Sequence, residues 1–206
     1  MRRALQLAWD MNVRAIPFSA LWAVSTWLVL QAPSIIVKIL GVLIANISAL
    51  ACSAMISRQE HPSKGFNFVP ALRDRFMWKY LFPLSLLLTF ALRNVSDHTS
   101  ASTTAKYFFV AMALSTLALW LFAITVMVPI RASQYFAGDE LATWNIVLET
   151  VKCKKGRVSL GLILICFGWP IIFLYVFLAL TIAQALNFPE STQSANSSKS
   201  VGVVSA

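Results

Sequence analysis

Cysteine, histidine and acidic side chains are the residues from which this chain could build a catalytic or metal site. The three cysteines, Cys52, Cys153 and Cys166, form no Cys-x-x-Cys pair, so their spacing indicates neither a zinc site nor a redox pair. His61 and His98 fall in segments that we place on opposite sides of a membrane, so they cannot share a metal ion. We therefore predict no metal, no cofactor and no enzymatic activity.

One acidic pair and two basic turns are the remaining candidates for chemistry. Asp139-Glu140 could coordinate a divalent cation, but acidic residues just before a predicted N-cap, Thr143, are also typical of a helix start. The segments 63–65 and 154–157 lack the Gly-x-x-x-x-Gly-Lys-Ser/Thr pattern of a phosphate-binding loop. We interpret the acidic pair as the start of a helix and the two segments as basic turns.

Composition separates the chain from water-soluble proteins. Its 206 residues are 58% hydrophobic and 12% charged, whereas soluble domains are near half apolar and a quarter charged. Lysine and arginine number 17 against 8 acidic residues, which gives a net charge of +9. The cations recur after every second apolar run, without a zinc-finger, RNP or helix-turn-helix pattern, so we expect no nucleic-acid partner.

Long runs without charge predict the architecture. A helix needs about 20 apolar residues to cross a hydrocarbon core of roughly 30 Å. We predict an all-α membrane protein, a bundle of five transmembrane helices, in a single domain over residues 1–189. The first run could instead be a signal peptide, but its length and the lack of a nearby cleavage site favour an uncleaved helix. The predicted spans are about 15–37, 39–57, 76–93, 107–130 and 158–187.

The distribution of cations orients this bundle. Lysine and arginine collect on the cytoplasmic side of membrane proteins, and with the N-terminus inside, 13 of the 17 fall in inner segments. Five crossings then place the C-terminus outside. Residues 190–206 are rich in Ser, Asn and Gln, and we predict that they form a disordered tail.

Two inner segments show the helical spacing of apolar residues and predict short amphipathic interfacial helices at about 67–76 and 143–153. The residues that share one face of the second helix are Trp144, Val147, Leu148 and Val151. These segments either support the fold alone or dock a cytoplasmic or membrane protein partner. The cations that we assign to the anionic headgroups of the lipid bilayer or to such a partner are Arg73, Arg75, Lys79, Lys152, Lys154, Lys155 and Arg157.

The second predicted span carries small residues four positions apart, on one helical face. Small side chains let another backbone approach closely, which predicts helix packing within the chain, although such residues are common enough in membrane helices to recur by chance. An asparagine one position away is predicted to hydrogen-bond to a neighbouring helix or, alternatively, to contact a substrate. The predicted packing residues are Gly41, Ala45, Ala49, Ser53, Ser57 and Asn46.

A family resemblance runs through most of residues 12–185. The apolar helix pair around 20–57, the inner segment 66–73, the helix end Val128-Pro129-Ile130-Arg131 and the stretch 144–152 together resemble the YesL-like family of bacterial integral membrane proteins. The resemblance implies a bacterial inner-membrane location and a link to carbohydrate uptake systems. It implies no catalytic residues, and the tail lies outside the family pattern.

Three functions follow as hypotheses. The preferred one is a non-enzymatic accessory or scaffold protein of a transport or envelope system, acting through its inner segments. The second is a small carrier or channel for a neutral solute, with a polar cavity lined by Asn46, Thr89, Thr125 and Gln184. The third is a membrane-embedded enzyme that modifies lipid. The central parts of the apolar runs contain no ionisable residue, which argues against a proton-coupled carrier, a voltage sensor or a charged-ion pore.

Overall fold

The computed structural model describes residues 33–60, 69–97, 103–168 and 173–189, together with isolated positions between residues 2 and 31. These residues contain no strand, so the prediction of an all-α protein is confirmed. The helices, numbered in chain order, are α1 Ile35–Glu60, α2 Val69–Arg73, α3 Arg75–Asp97, α4 Thr103–Phe122, α5 Val128–Ser133, α6 Glu140–Cys153, α7 Lys155–Gly168 and α8 Phe173–Asn187.

Two helical stretches in the described ranges are long and apolar enough to cross a membrane, by length and composition. They are Ile35–Gln59 and Thr103–Ser133, whose most apolar 18-residue windows have mean hydropathies of 2.3 and 2.2. Helix α3 carries charged residues near both ends, which shortens its apolar part. The predicted first span, 15–37, lies almost wholly outside the described residues. The prediction of five transmembrane helices is therefore not supported.

The longer of these stretches is one continuous helical rod. A π-helical turn, Ala123–Met127, joins α4 to α5 without a break. Pro129 follows this turn and has no backbone N–H, so it cannot complete an ordinary helical hydrogen-bond ladder. We attribute the local widening of the helix to this missing donor, because π-turns absorb such interruptions.

The chain predicted as one span over 158–187 folds back on itself. Helices α7 and α8 are separated by four residues and pack along each other. A Cβ on Gly161 would lie 3.4 Å from Cβ of Ala183 and 3.0 Å from Nδ2 of Asn187. One continuous helix would hold residues 161 and 187 about 39 Å apart, at a rise of about 1.5 Å per residue. The single-helix prediction is therefore wrong.

This reversal changes the topology that the sequence predicts. Helices α7 and α8 have 14 and 15 residues, or about 21–22 Å, which is shorter than a hydrocarbon core of roughly 30 Å. Helix α8 runs back along α7, so that Asn187 lies beside Gly161, and the described helices do not form the single crossing predicted over 158–187. The sequence favours a break at Gly168-Trp169-Pro170, because proline kinks a helix, but this segment lies largely outside the described residues. The predicted tail at 190–206 lies outside them as well.

Several of the other helices pack around α1. Helix α1 contacts α2, α3, α5 and α8, while α3 and α4 lie along each other as a hairpin. The largest fully buried side chains come from several helices, which places one continuous core inside the bundle; they include Ile56, Phe76, Leu81, Ile124, Ile130 and Leu180.

The inner segments differ in part from the predicted interfacial helices. The predicted helix over 67–76 is interrupted, because α2 stops at Arg73 and α3 starts at Arg75. Asp74 lies between them, and its Oδ1 accepts a hydrogen bond from the backbone N–H of Phe76 at 3.2 Å. This is the N-cap arrangement that starts a new helix. The helix predicted over 143–153 corresponds to α6, which begins three residues earlier, at Glu140.

Candidate functional site

A buried ion pair joins the two inner segments. Asp74 comes from the break between α2 and α3, and Arg131 comes from α5, 57 residues later. Nε of Arg131 donates to Oδ2 of Asp74 at 2.9 Å, and Nη2 donates to Oδ1 at 2.6 Å. The side chain of Arg131 is only 4% exposed and that of Asp74 only 2%. This two-point contact is the strong form of an arginine–carboxylate pair, and it fixes the relative orientation of the two groups.

The remaining guanidinium donors bind the connection between α5 and α6. Nη1 of Arg131 donates to the carbonyl oxygen of Gly138 at 2.7 Å and to Oγ1 of Thr143 at 2.9 Å. A longer contact of 3.3 Å reaches Oε1 of Gln134. The ring of Phe76 lies 5.0 Å from the guanidinium carbon, within the range of a cation–π contact. We call Asp74, Phe76, Arg131, Gln134 and Thr143 the elbow junction.

The connection held by Arg131 has a tightly turned backbone. Tyr135 and Phe136 have φ values of 53° and 58°, in the left-handed region that non-glycine residues seldom occupy. The N–H of Phe136 donates back to the carbonyl oxygen of Arg131 at 2.9 Å. Such conformations persist only when surrounding contacts hold them in place. Burial raises the pKa of the Tyr135 phenol above its ordinary value, so this side chain is neutral at physiological pH.

A more exposed set of contacts extends the elbow junction. Nζ of Lys79 donates to Oε2 of Glu140 at 2.9 Å, with both side chains about half exposed. The hydroxyl of Tyr80 donates to the same oxygen at 3.5 Å. The rings of Tyr80 and Trp144 meet edge to face, with centroids 5.5 Å apart. These contacts tie α3 to α6, so Glu140 of the acidic pair binds a lysine.

The predicted packing stripe of α1 faces other helices. Gly41, Ala49, Ser53 and Ser57 are buried, and Ala45 is half-buried. Oγ of Ser53 donates to Oε1 of Gln184 in α8 at 2.8 Å. Further along the helix, Oγ of Ser57 donates to the carbonyl oxygen of Ala132 in α5 at 3.1 Å.

Gln184 connects three elements inside the bundle. Besides its contact with α1, its Nε2 donates to the carbonyl oxygen of Ile124 in the π-turn at 2.9 Å. A longer contact of 3.4 Å reaches the carbonyl oxygen of Ala49. The side chain is fully buried, so these bonds supply the partners that an amide needs away from water.

Asn46 belongs to a separate polar group. Its Oδ1 accepts a hydrogen bond from Oγ of Ser85 in α3 at 3.0 Å, and Nε1 of Trp120 donates to the same hydroxyl oxygen at 2.7 Å. The hydroxyls of Thr89 and Thr125 donate to carbonyl oxygens of their own helices, at 2.9 and 2.7 Å. Asn46, Thr89, Thr125 and Gln184 therefore do not line one common cavity.

The predicted docking cations gather at one end of the bundle. The elbow junction brings α2 and the start of α3 to α6, and α7 begins next to the end of α6. Lys79 lies among them, about half exposed, and its Nζ donates to Glu140. The others lie on the surface, fully or half exposed: Arg73, Arg75, Lys152, Lys154, Lys155 and Arg157.

The residues at the centre of the elbow junction were missed by sequence reasoning. Arg131 looks like one more cytoplasmic cation, and Asp74 looks like part of a polar face. Two sequence features could have pointed to the pair. Asp74 is an acidic residue between two arginines, and Arg131 directly follows a long apolar run. The pairing itself depends on two residues that are far apart in the chain.

The elbow junction holds two segments together and leaves no reactive group open. Both carboxylate oxygens of Asp74 accept hydrogen bonds from Arg131, so neither is open to act as a base. Within the described ranges, no group of three or more His, Cys, Asp or Glu residues is placed to hold a metal ion.

Comparison with family models, curated proteins and solved structures finds no match for the chain.

Proposed function

We propose that this chain is a multi-pass protein of a bacterial inner membrane that acts as a non-enzymatic accessory or scaffold for a transport or envelope system. The observation that carries the proposal is the elbow junction, because it joins two inner segments into one rigid surface and leaves Asp74 no catalytic freedom. The resemblance to the YesL-like family supplies the link to carbohydrate uptake systems.

Exposed apolar side chains support the membrane location. Water-soluble proteins seldom expose large continuous apolar patches. Here the outward faces of α1, α3 and α4 carry large apolar side chains that are more than half exposed. Lipid is the solvent in which such faces are stable. The side chains include Ile36, Leu40, Phe90, Tyr107, Phe108 and Leu114.

The placement of cations supports an orientation. The end of the bundle that carries the elbow junction also carries the cations of α2, α6 and the start of α7. The opposite end carries Lys38, Arg93 and Lys106. By the positive-inside rule, the elbow junction faces the cytoplasm. Since α8 returns to that end, residue 189 also emerges on the cytoplasmic side, in place of the outer C-terminus predicted from the sequence.

The scaffold surface consists of exposed cations on a rigid support. Arg73 and Arg75 flank the buried Asp74, and Lys152 and Lys155 flank the turn between α6 and α7. Because Arg131 donates hydrogen bonds to both Asp74 and Thr143, these two basic groups keep a constant separation. A partner with an acidic face would bind both groups at once.

Co-purification tests the proposal. Membranes are solubilised gently, and the protein is recovered as wild type and as a variant with Arg73→Glu, Arg75→Glu, Lys152→Glu and Lys155→Glu. A matched control reverses the cations of the far end, with Lys38→Glu and Lys106→Glu. We expect a stoichiometric partner with wild type and with the control, and at least a tenfold loss with the first variant. Recovery of wild type without any partner would contradict the proposal.

Within the described residues, no observation favours the two other functions considered from the sequence. A carrier for a neutral solute needs a shared polar cavity, whereas Asn46 and Gln184 belong to separate hydrogen-bonded groups. A lipid-modifying enzyme needs a clustered acid, base or metal site at one interface. Among the described residues, Asp74 is held by Arg131 and Glu140 by Lys79, and no three His, Cys, Asp or Glu residues are grouped to hold a metal ion.

A further inference from the structure

Helix α6 has an apolar arc that is wider than the part of the helix that the bundle covers. Its buried side chains are Thr143, Val147 and Thr150. Trp144 and Val151 come next around the helix and are half-buried. Continuing in the same direction, at about 100° per residue, the next positions are apolar but uncovered. They are Leu148, 54% exposed, and Leu141, 68% exposed.

The opposite exposed side of α6 is mainly polar and carries no large apolar side chain. Lys152 and Asn145 follow Leu141 around the helix, and Glu149, Ala142 and Cys153 come after them, all exposed. Three sectors therefore surround the helix axis: one packed on the bundle, one apolar and uncovered, and one polar. A helix packed on a bundle in water would need only the packed sector and the polar sector.

We propose that the uncovered apolar flank of α6, formed by Trp144, Leu148 and Leu141, lies in the boundary between acyl chains and headgroups of the cytoplasmic leaflet. The inference rests on the proposed membrane location. It revises the predicted interfacial helix, because Val147 faces the bundle whereas Leu148 faces lipid. In this position α6 lies parallel to the membrane, with the bundle beside it and water above its polar sector.

Charge and area both identify lipid as the occupant. Lys154, which is not among the cations of the scaffold surface, follows directly after α6 and reaches the anionic headgroups of the same leaflet. Trp144 adjoins the flank, and tryptophan is enriched at the level of the headgroups. A stable protein partner needs about 800 Å² of surface on each side, and two leucines beside a polar sector do not provide it.

Site-directed spin labelling tests the position of the flank. The base variant carries Cys153→Ser and Cys166→Ser, while Cys52 is retained because it is fully buried. Labels are attached through Leu148→Cys, Glu149→Cys and, as a control on the outward face of α4, Leu114→Cys. The full-length protein is reconstituted in vesicles of phosphatidylcholine and phosphatidylglycerol. Collision rates with oxygen, which concentrates in lipid, and with a water-soluble nickel chelate are then measured.

We expect the ratio of oxygen to nickel collisions at position 148 to be several-fold higher than at position 149, and closer to that at position 114. A watery environment at 148 with lipid at 114 would overturn the inference and leave the membrane location intact. A watery environment at all three positions would overturn the proposed function as well. A label at 148 shielded from both reagents would show that protein covers the flank, which also overturns the inference.

Discussion

Asp74 serves two structural purposes with one carboxylate. It caps the start of α3 through the N–H of Phe76, and it neutralises Arg131 inside the protein. Transferring a charge from water into the protein interior costs free energy. A buried ion pair therefore adds little net stability compared with well-packed apolar residues in its place. Removing only one partner is different, because the other charge then stays buried without compensation.

We therefore expect Asp74→Asn to lower the free energy of unfolding by about 3–5 kcal/mol. Asparagine is as good an N-cap as aspartate, so the loss reports on the ion pair and not on the start of α3. Unfolding in mixed micelles, followed by circular dichroism, measures the difference. Lys79→Met is the control, because its pair with Glu140 is exposed and should change stability little. Equal effects of the two substitutions would contradict the account of the elbow junction.

Gln184 offers a second test among single residues. Replacing it with leucine removes the bonds to Ser53 and to the carbonyl oxygen of Ile124. Interhelical hydrogen bonds in membrane proteins contribute about 1 kcal/mol each, so we expect Gln184→Leu to cost about 1–2 kcal/mol in the same unfolding assay. Thr89→Val is the matched control, because that hydroxyl bonds only within its own helix. A larger loss for Thr89→Val would refute the bridging role.

At the scale of elements, the close contact of α7 with α8 depends on a missing side chain. Gly161 lies against Ala183 and Asn187, whereas a Cβ on Gly156, in the same helix, would meet nothing within 4 Å. The two glycines therefore provide a comparison within one helix. Only Gly161 faces helix α8.

We expect Gly161→Leu to separate the α7–α8 hairpin and to lower the free energy of unfolding by about 1–3 kcal/mol, since overpacking forces neighbouring groups apart. Gly156→Leu should leave it unchanged or raise it slightly, because leucine favours helix over glycine. If both leucine variants were equally stable, the fold-back packing described here would be incorrect.

For the whole molecule, the proposed membrane location makes the fold-back of α7 and α8 a prediction about the side on which residue 189 lies. The end of α8 and the start of α7 both lie toward the end of the bundle that holds the elbow junction. An odd number of crossings, which the sequence alone predicts, would put them on opposite sides. Fusions of topology reporters separate these two alternatives.

We expect a reporter joined after Pro189 to be active in the cytosol and inactive in the periplasm. A reporter inserted after Asp97, at the opposite end of the bundle, should give the reverse result. Periplasmic activity after Pro189 with the expected result after Asp97 would contradict the hairpin. Cytosolic activity at both positions would instead contradict the orientation of α3.

Sequence patterns predict local features of this protein well. Hydropathy alone indicates the all-α class, because uncharged runs of membrane length have few alternatives to helix. The four-residue spacing of Ala49, Ser53 and Ser57 indicates a packing face, since helical periodicity is local. For the same reason, a helix near 143–153 follows from the spacing of Trp144 and Val147.

Long-range pairing required the tertiary structure. Arg131 and Asp74 are ordinary loop charges until the packing of α3, α5 and α6 removes both from water, and no local pattern encodes that contact. The reversal between α7 and α8 is equally hidden, because one long apolar run suits a single span and a hairpin alike. Composition and periodicity determined which segments are apolar helices. Contacts between residues far apart in the chain decided how those helices pack against one another.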